Sequence, residues 1–310
     1  MNYARKTTGK ALQWFGTAFI LVCFITTSAA AQQRVDETKA ARADGQIKVY
    51  NLSGSIKVTG SNRNEVTVKG TLGEGTERLE FTVSGNETII EVVIMDEVER
   101  ERRNIRRIRG SELEITVPAG SRLDLDAVSA DMTVSGVNGD IDIETVSGNL
   151  EVGATSGRVW AQCISGDITI ASSQGPLRAN TVSGRITVRE VTGRFDVGTI
   201  SGDIKVNGIN IEEGTFESLS GSLEFMGTLA ANGNLMMENH SGSIDLYLPS
   251  NVSANFDVTT FSGDIENQFG QQATRTNRYM PGEVLTFETG GGSARVKITT
   301  FSGDVEINKK

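Results

Sequence analysis

The amino-acid sequence predicts an all-β fold, a single-stranded, right-handed β-solenoid (a β-helix) with about 18–21 residues per coil. Three observations carry that expectation. From Ser129 to Ile209 the chain divides without a gap into nonapeptides: SADMTVSGV, NGDIDIETV, SGNLEVGAT, SGRVWAQCI, SGDITIASS, QGPLRANTV, SGRITVREV, TGRFDVGTI and SGDIKVNGI. Ser-Gly then returns at Ser220, Ser241, Ser262 and Ser302. Glycine is abundant (35 residues) and proline scarce (4), as expected of many short strands joined by tight turns.

Each unit reads small-polar, Gly, x, apolar, x, apolar, x, x, apolar. The fourth and sixth positions are apolar in every unit, and the ninth is apolar except at Thr155 and Ser173. In a pleated strand alternate residues face opposite sides, so Ile168 and Ile170 point to a core while Asp167 and Thr169 point to water. Glycine in the small-polar pair allows a bend that a Cβ opposes, and the adjoining hydroxyl is placed to bond turn amides. One such strand cannot bury its apolar side alone, so coils must stack, at roughly 4.8 Å. Odd units nearly all open with Ser-Gly (Ser147, Ser165, Ser183, Ser201), whereas even units vary (Asn138, Ser156, Gln174, Thr192). The even units always end in an apolar residue: Val146, Ile164, Val182, Ile200. The chemistry therefore recurs every two units. One coil holds two strands, and the apolar side chains of successive units are expected to meet inside one stacked column.

The remaining segments follow in order. Residues 1–31 are expected to be a signal peptide: Arg5, Lys6 and Lys10 precede the apolar run WFGTAFILVCFITTSA, and Ala29-Ala30-Ala31 supplies a cleavage site. Val22 before Cys23 disfavours a lipoprotein signal. Residues 32–44 are polar and expected to be flexible. Residues 45–310 form the solenoid, with 45–128 as N-terminal cap and irregular coils and 129–310 as regular repeats. The step from Ser262 to Ser302 fits two coils, one carrying the loop GQQATRTNRYMPGE.

Composition narrows the function. The formal charge is −9, and loss of the basic leader leaves the chain more acidic, a poor match for general nucleic-acid binding. Of the two cysteines Cys23 leaves with the leader, so Cys163 has no intrachain disulfide partner.

The phrases LEITVPAGSRLDLDAVSADMTV (Leu113–Val134), the Ser-Gly-Asp-Ile series, LYLPSNVSANFDVTTFSGDIE (Leu246–Glu266) and GGGSARVKITTFSGDVEI (Gly290–Ile307) resemble the bacterial β-strand-repeat domains classed as candidate adhesins and called toast-rack domains. The resemblance covers roughly residues 45–310. It implies a noncatalytic β-solenoid exposed at the cell envelope, with relatives near membrane proteins of envelope-stress systems and no family ligand or catalytic residue. The expected role is an exported, adhesin-like scaffold, periplasmic, envelope-bound or extracellular, that binds an envelope protein or glycan. It needs no cofactor or metal, and it shows no transmembrane segment after the leader. The alternatives are an envelope-stress component that binds a membrane partner, and a polysaccharide-active enzyme.

Four features are candidates for chemistry. The third positions (Asp131, Asp140, Asn149, Arg158, Asp167, Pro176, Arg185, Arg194, Asp203) suggest calcium, but arginines interrupt any carboxylate column, so stacked surface charges are the better reading. His240, the one histidine, is expected in a turn beside Ser241-Gly242, and Cys163 packs in a column with Thr145 and Thr181. Trp160 falls at an outward fifth position between Asp142 and Arg178, where Arg178 is placed to stack on the ring and an exposed indole could anchor a partner or sugar. The run DEVERERRNIRRIRG (Asp96–Gly110) carries Arg102, Arg103, Arg106 and Arg107. It is read as a solvated loop or short helix balanced by Glu97, Glu99 and Glu101, or as a contact for anionic lipid or glycan.

Overall fold

The computed structural model describes residues 33–277 and 280–310, so the signal peptide expected over 1–31 lies outside the described residues. The N-terminal region runs β1 (Gln33–Ala40), β2 (Gln46–Ser61), β3 (Glu65–Leu72), β4 (Thr76–Ser84), β5 (Glu87–Ile94), α1 (Glu97–Arg102), β6 (Ser111–Pro118) and β7 (Arg122–Ser135). The middle runs β8 (Ile141–Ser147), β9 (Leu150–Val152), β10 (Val159–Ser165), β11 (Ile168–Ile170), β12 (Leu177–Ser183), β13 (Ile186–Ser201), β14 (Ile204–Ser220), β15 (Leu223–Ser241) and β16 (Ile244–Leu248). The C-terminal region runs β17 (Ala254–Ser262), β18 (Ile265–Asn267), β19 (Thr274–Asn277), β20 (Met280–Thr289), β21 (Ala294–Ser302) and β22 (Val305–Lys309). The fold is a β-solenoid.

In the middle each coil stacks in parallel on its sequence neighbour. Val159 of β10 lies against Ile141 of β8 and Leu177 of β12, and Ile168 of β11 against Leu150 of β9 and Ile186 of β13. The fourth and sixth positions form the core: Ile141, Ile143, Val159, Ala161, Ile168, Ile170, Ile186 and Val188 are essentially solvent-free. The two non-apolar ninth positions also point inward, at the far corner of the coil. There Thr155 Oγ1 accepts from Gly157 N at 3.3 Å, and Ser173 Oγ donates to the Gly175 carbonyl at 3.2 Å, so both hydroxyls are buried with partners. Further along the stack, Ser220 is in register with Ser201 and Ser241 with Ser220, the longer steps being taken up by register shifts. The core widens with them to hold Phe195, Phe216 and Phe225, with Phe195 and Phe216 edge to face at 5.2 Å.

The turn after each first strand is held across coils. Asn149 N donates to Asp131 Oδ1 (2.7 Å), Asp167 N to Asn149 Oδ1 (3.1 Å), Arg185 N to Asp167 Oδ1 (2.8 Å) and Ser222 N to Asp203 Oδ1 (3.0 Å). The third-position side chain, rather than the serine hydroxyl, therefore caps the turn amide of the next coil. The glycines beside it stack closely: a Cβ on Gly202, at φ +150°, would lie 1.9 Å from the Gly184 carbonyl oxygen.

At both ends the coils leave chain order. β2 pairs in parallel with β7 on one side and with β5 and β6 on the other, so the first coil of the sequence sits second in the stack. At the opposite end β21 lies between β15 and β17, and β22 between β16 and β18. The last coil of the sequence is thus inserted beneath the one before it, which corrects the expectation that coils stack in sequence order. Beyond these inserted coils the pairing turns antiparallel: β1 with β3, β3 with β6 and β4 with β5 at one end, β17 with β20 and β19 with β20 at the other. The flexibility expected of 32–44 is corrected as well. Gln33–Ala40 pairs along its whole length with Glu65–Leu72, and its charged, exposed residues make it a poor template for a further strand.

Candidate functional site

The first strand of each coil presents three outward positions. In β8 these are Asp142, Glu144 and Val146, because Ile141, Ile143 and Thr145 point inward. Stacking turns each position into a row. The inward eighth positions, Thr145, Cys163, Thr181, Thr199, Asn239, Thr300 and Thr260, are buried at the bend. Asn239 Nδ2 donates to the Gly221 carbonyl at 2.8 Å and Thr260 Oγ1 to the Gly303 carbonyl at 3.1 Å. Cys163 belongs to this buried row as expected, in register with Thr145 and Thr181, its thiol 3.4 Å from the Gly148 carbonyl. Burial pushes the Cys163 thiol pKa up, which disfavours the thiolate.

The ninth positions of the even units lie outside the core, contrary to the expectation of a single interior column. Val146 is 47% exposed, Ile164 51%, Val182 41% and Ile200 51%, and the row continues through Leu219, His240, Phe301 and Phe261. His240 is therefore a rung of an exposed ladder. Its ring stacks on Phe301 at 4.8 Å and 7°, and Phe301 stacks on Phe261 at 4.8 Å and 7°. This three-ring stack exists only because the last coil is inserted between the layers of His240 and Phe261.

Beside the ladder runs the seventh-position row: Asp126, Glu144, Gln162, Asn180, Gly198, Glu217 and Glu238. Between the two rows lies a groove of about 1130 Å³ that reaches from Asp126 to Phe301, and no lysine or arginine lines it. The carboxyl pKa of Asp126 is raised, first by partial burial and then by Asp124, Glu144 and Asp142. That of Asp142 is raised by partial burial and then by Glu144 and Asp124. This face thus concentrates negative charge beside an apolar strip.

Of the candidates read from the sequence, His240 and Cys163 lie at this groove, whereas Trp160, Arg178 and the arginine run lie elsewhere. Trp160 is half-buried on β10, in register with Asp142 and Arg178 as expected, and lines a second cleft of about 410 Å³ with Arg158, Arg178, Arg194 and Phe195. Arg178 does not stack on the indole: its guanidinium lies 3.1 Å from the Asp196 carboxylate, and among the described residues no cation sits over the Trp160 ring. The arginine run forms α1 and the connection to β6, with Asp96 accepting from Glu99 N at the helix start. Arg103 pairs with Glu99 at 2.7 Å, while Arg102, Arg106 and Arg107 project into solvent. The structure does not bring this run together with Trp160 and Arg178. Among the described residues no group of three or more His, Cys, Asp or Glu is placed to hold a metal ion, and no helix is long and apolar enough to cross a membrane.

A family profile described as Toastrack DUF4097 matches residues 45–308. No curated protein matches the chain. Solved structures that are similar include a candidate adhesin from Bacteroides fragilis, 10% identical with a TM-score of 0.44 over 88% of this chain and 96% of that one. A candidate lipid-binding protein from Parabacteroides distasonis is 12% identical with a TM-score of 0.40, over 89% and 96%. A candidate cell-adhesion protein from Clostridium sporogenes is 12% identical with a TM-score of 0.23, over 90% and 100%.

Proposed function

The chain belongs to the Toastrack DUF4097 family, and from that membership and the geometry above we propose that it is an exported, noncatalytic binding scaffold of the cell envelope. The observation that carries this reading is the exposed row from Val146 through Ile164, Val182, Ile200 and Leu219 to Phe301 and Phe261. Scattered apolar residues are ordinary on a protein surface, but a contiguous strip beside a groove marks an interaction face. The strands beneath it are each paired with a neighbour on both sides, so the strip is held in place before a partner arrives and little ordering is lost on binding. The leader at 1–31 supports export, and the paired, buried state of Cys163 and the ring-stacked His240 support a role without covalent chemistry.

The test has two arms. Cell fractionation compares the chain with a form lacking 1–31, and the envelope fraction should hold the first only. The purified chain and its Ile164→Asn variant are then immobilised against solubilised envelope proteins and glycans. A ligand retained by the parent and released by the variant supports the reading; identical retention on both surfaces defeats it.

A further inference from the structure

We propose that the ladder groove is a docking site for a cationic amphipathic α-helix, one with an apolar stripe flanked by Lys or Arg, lying along the solenoid axis. This inference rests on the reading of the protein as a binding scaffold and names the chemistry of its partner.

Spacing is the first argument. The rungs repeat at 4.8 Å, as the His240–Phe301 and Phe301–Phe261 stacks show. A helix repeats its apolar stripe every 3.5 residues, an advance of about 5.3 Å. It therefore gains only about 0.5 Å per rung and stays in contact over several coils. An extended peptide laid along the same axis repeats its apolar face every two residues, about 6.6–6.8 Å. Its first repeat already falls between rungs, about 2 Å past one and about 3 Å short of the next. A peptide running with the strands instead would need an open sheet edge, and this face offers side chains, not unpaired backbone.

Charge is the second argument. The groove carries Asp126 and Glu144 towards one end and Glu217 and Glu238 towards the other, with no lysine or arginine along it. Lys or Arg beside an apolar stripe would meet these carboxylates and relieve their crowding. The same charge opposes the other occupants. A second copy of this face would set carboxylates against carboxylates, and an anionic bilayer would be repelled. Ring geometry disfavours a sugar on the aromatic rungs: His240, Phe301 and Phe261 are stacked on one another at 7°, so each covers its neighbour's face and the ladder shows edges.

The probe is a fluorescent helix of about 18 residues made of Leu and Lys, with Leu on one stripe, titrated with the full chain. Three comparison probes are the Leu/Glu helix, the same Leu/Lys composition in strict alternation, and vesicles of phosphatidylcholine with phosphatidylglycerol. Sedimentation reports self-association. The Leu/Lys helix should bind, weaken with added salt, and lose roughly tenfold or more in affinity when Ile164→Asn is combined with Leu219→Asn. Both side chains are more than half exposed, so an unchanged melting curve confirms that the variant folds. Glu217→Gln with Glu238→Gln should weaken the Leu/Lys helix without changing the apolar strip.

Preference for the alternating peptide, the Leu/Glu helix, the vesicles or a second copy, each abolished by the ladder variant, would overturn the cationic helix and leave the scaffold reading standing. Binding of the Leu/Lys helix that ignores both variant pairs would overturn it too. If no probe responds to the ladder variant, the cationic helix is overturned, and the retention of envelope ligands by the parent and Ile164→Asn surfaces decides the scaffold reading separately.

Discussion

The middle of the solenoid and its two ends are built from the same phrase but obey different rules. Between β7 and β15 each coil stacks on its sequence neighbour, and the contacts recur with the repeat. At the ends the first and last coils of the sequence sit one layer in, covered by coils that come later or earlier in the chain. A terminal strand laid on the outside would be paired along one edge and prone to fray. Inserted, β21 is paired along both edges, with Gly242 N donating to the Ser302 carbonyl and Gly303 N to the Ser262 carbonyl, each at 3.0 Å. The antiparallel strands beyond then cover the open face of the stack. The repeat thus sets the shape of a coil, while the order of coils is settled by how the ends are closed.

Removing β21 and β22 is the strongest way to break this comparison. Truncation of 294–310 takes out Val296, Ile298, Val305 and Ile307, all buried, and leaves β15 and β17 without their shared neighbour. Its expected cost is on the order of the stability of a whole small domain, about 5–15 kcal/mol. Excision of Ser165–Val182 removes about as much chain from the middle but preserves the register of the flanking coils, so a shorter solenoid should still fold. Hydrogen exchange over 223–267 separates the cases. Equal loss of protection in both deletion variants would show that the inserted coil has no special role.

Within the middle, the contrast between interior and bend is sharpened by single substitutions. Phe216→Ala opens the aromatic cluster and should cost about 3–5 kcal/mol in denaturant unfolding. Gly202→Ala sets a Cβ against the Gly184 carbonyl of the preceding coil and should cost roughly 2–4 kcal/mol. Gly193→Ala, at φ +77° with nothing within 4 Å of the added carbon, should cost only the left-handed strain, about 1–2 kcal/mol. A Gly202→Ala effect no larger than that of Gly193→Ala would remove the close-stacking explanation of the Ser-Gly phrase.

The smallest effect concerns the carboxylates of the outward face. Asp142 and Asp126 bind protons more readily folded than unfolded, because burial and neighbouring carboxylates raise their pKa. Their contribution to stability is therefore fully present below the unfolded value and is lost as pH rises through the raised folded one. Asp142→Asn should lift the melting temperature at neutral pH by roughly 1–2 °C, and the gain should vanish on acidification. A gain that persists at acid pH would assign it to another cause.

Much of the regular region could be read from the residues. The alternation of Ile141, Ile143 and Thr145 with Asp142 and Glu144 already assigns Val146 to the outer face, since parity in a strand admits no other placement. Apolar character at the ninth position nonetheless suggests burial, which hides the row in the sequence. Trp160 was correctly placed in its row, but its proposed cation partner was not. Arg178 has a carboxylate within reach on the next coil, and an ion pair with Asp196 wins over the ring. The third-position aspartates were read as surface charge because their acceptors' partners, the amides of the next coil, are visible only once the stack is built.

By itself the sequence determined the coil: a period of two nonapeptides, bends at Ser-Gly, and a core of fourth and sixth positions. These follow from the pleat and from where a Cβ can be tolerated, both local properties of the chain. Tertiary structure alone decided which coil lies on which. Phe261-Ser262-Gly263-Asp264 and Phe301-Ser302-Gly303-Asp304 are the same four residues, so no local preference tells them apart. Only the closing of the stack brings Phe301 against His240 and completes the outward ladder.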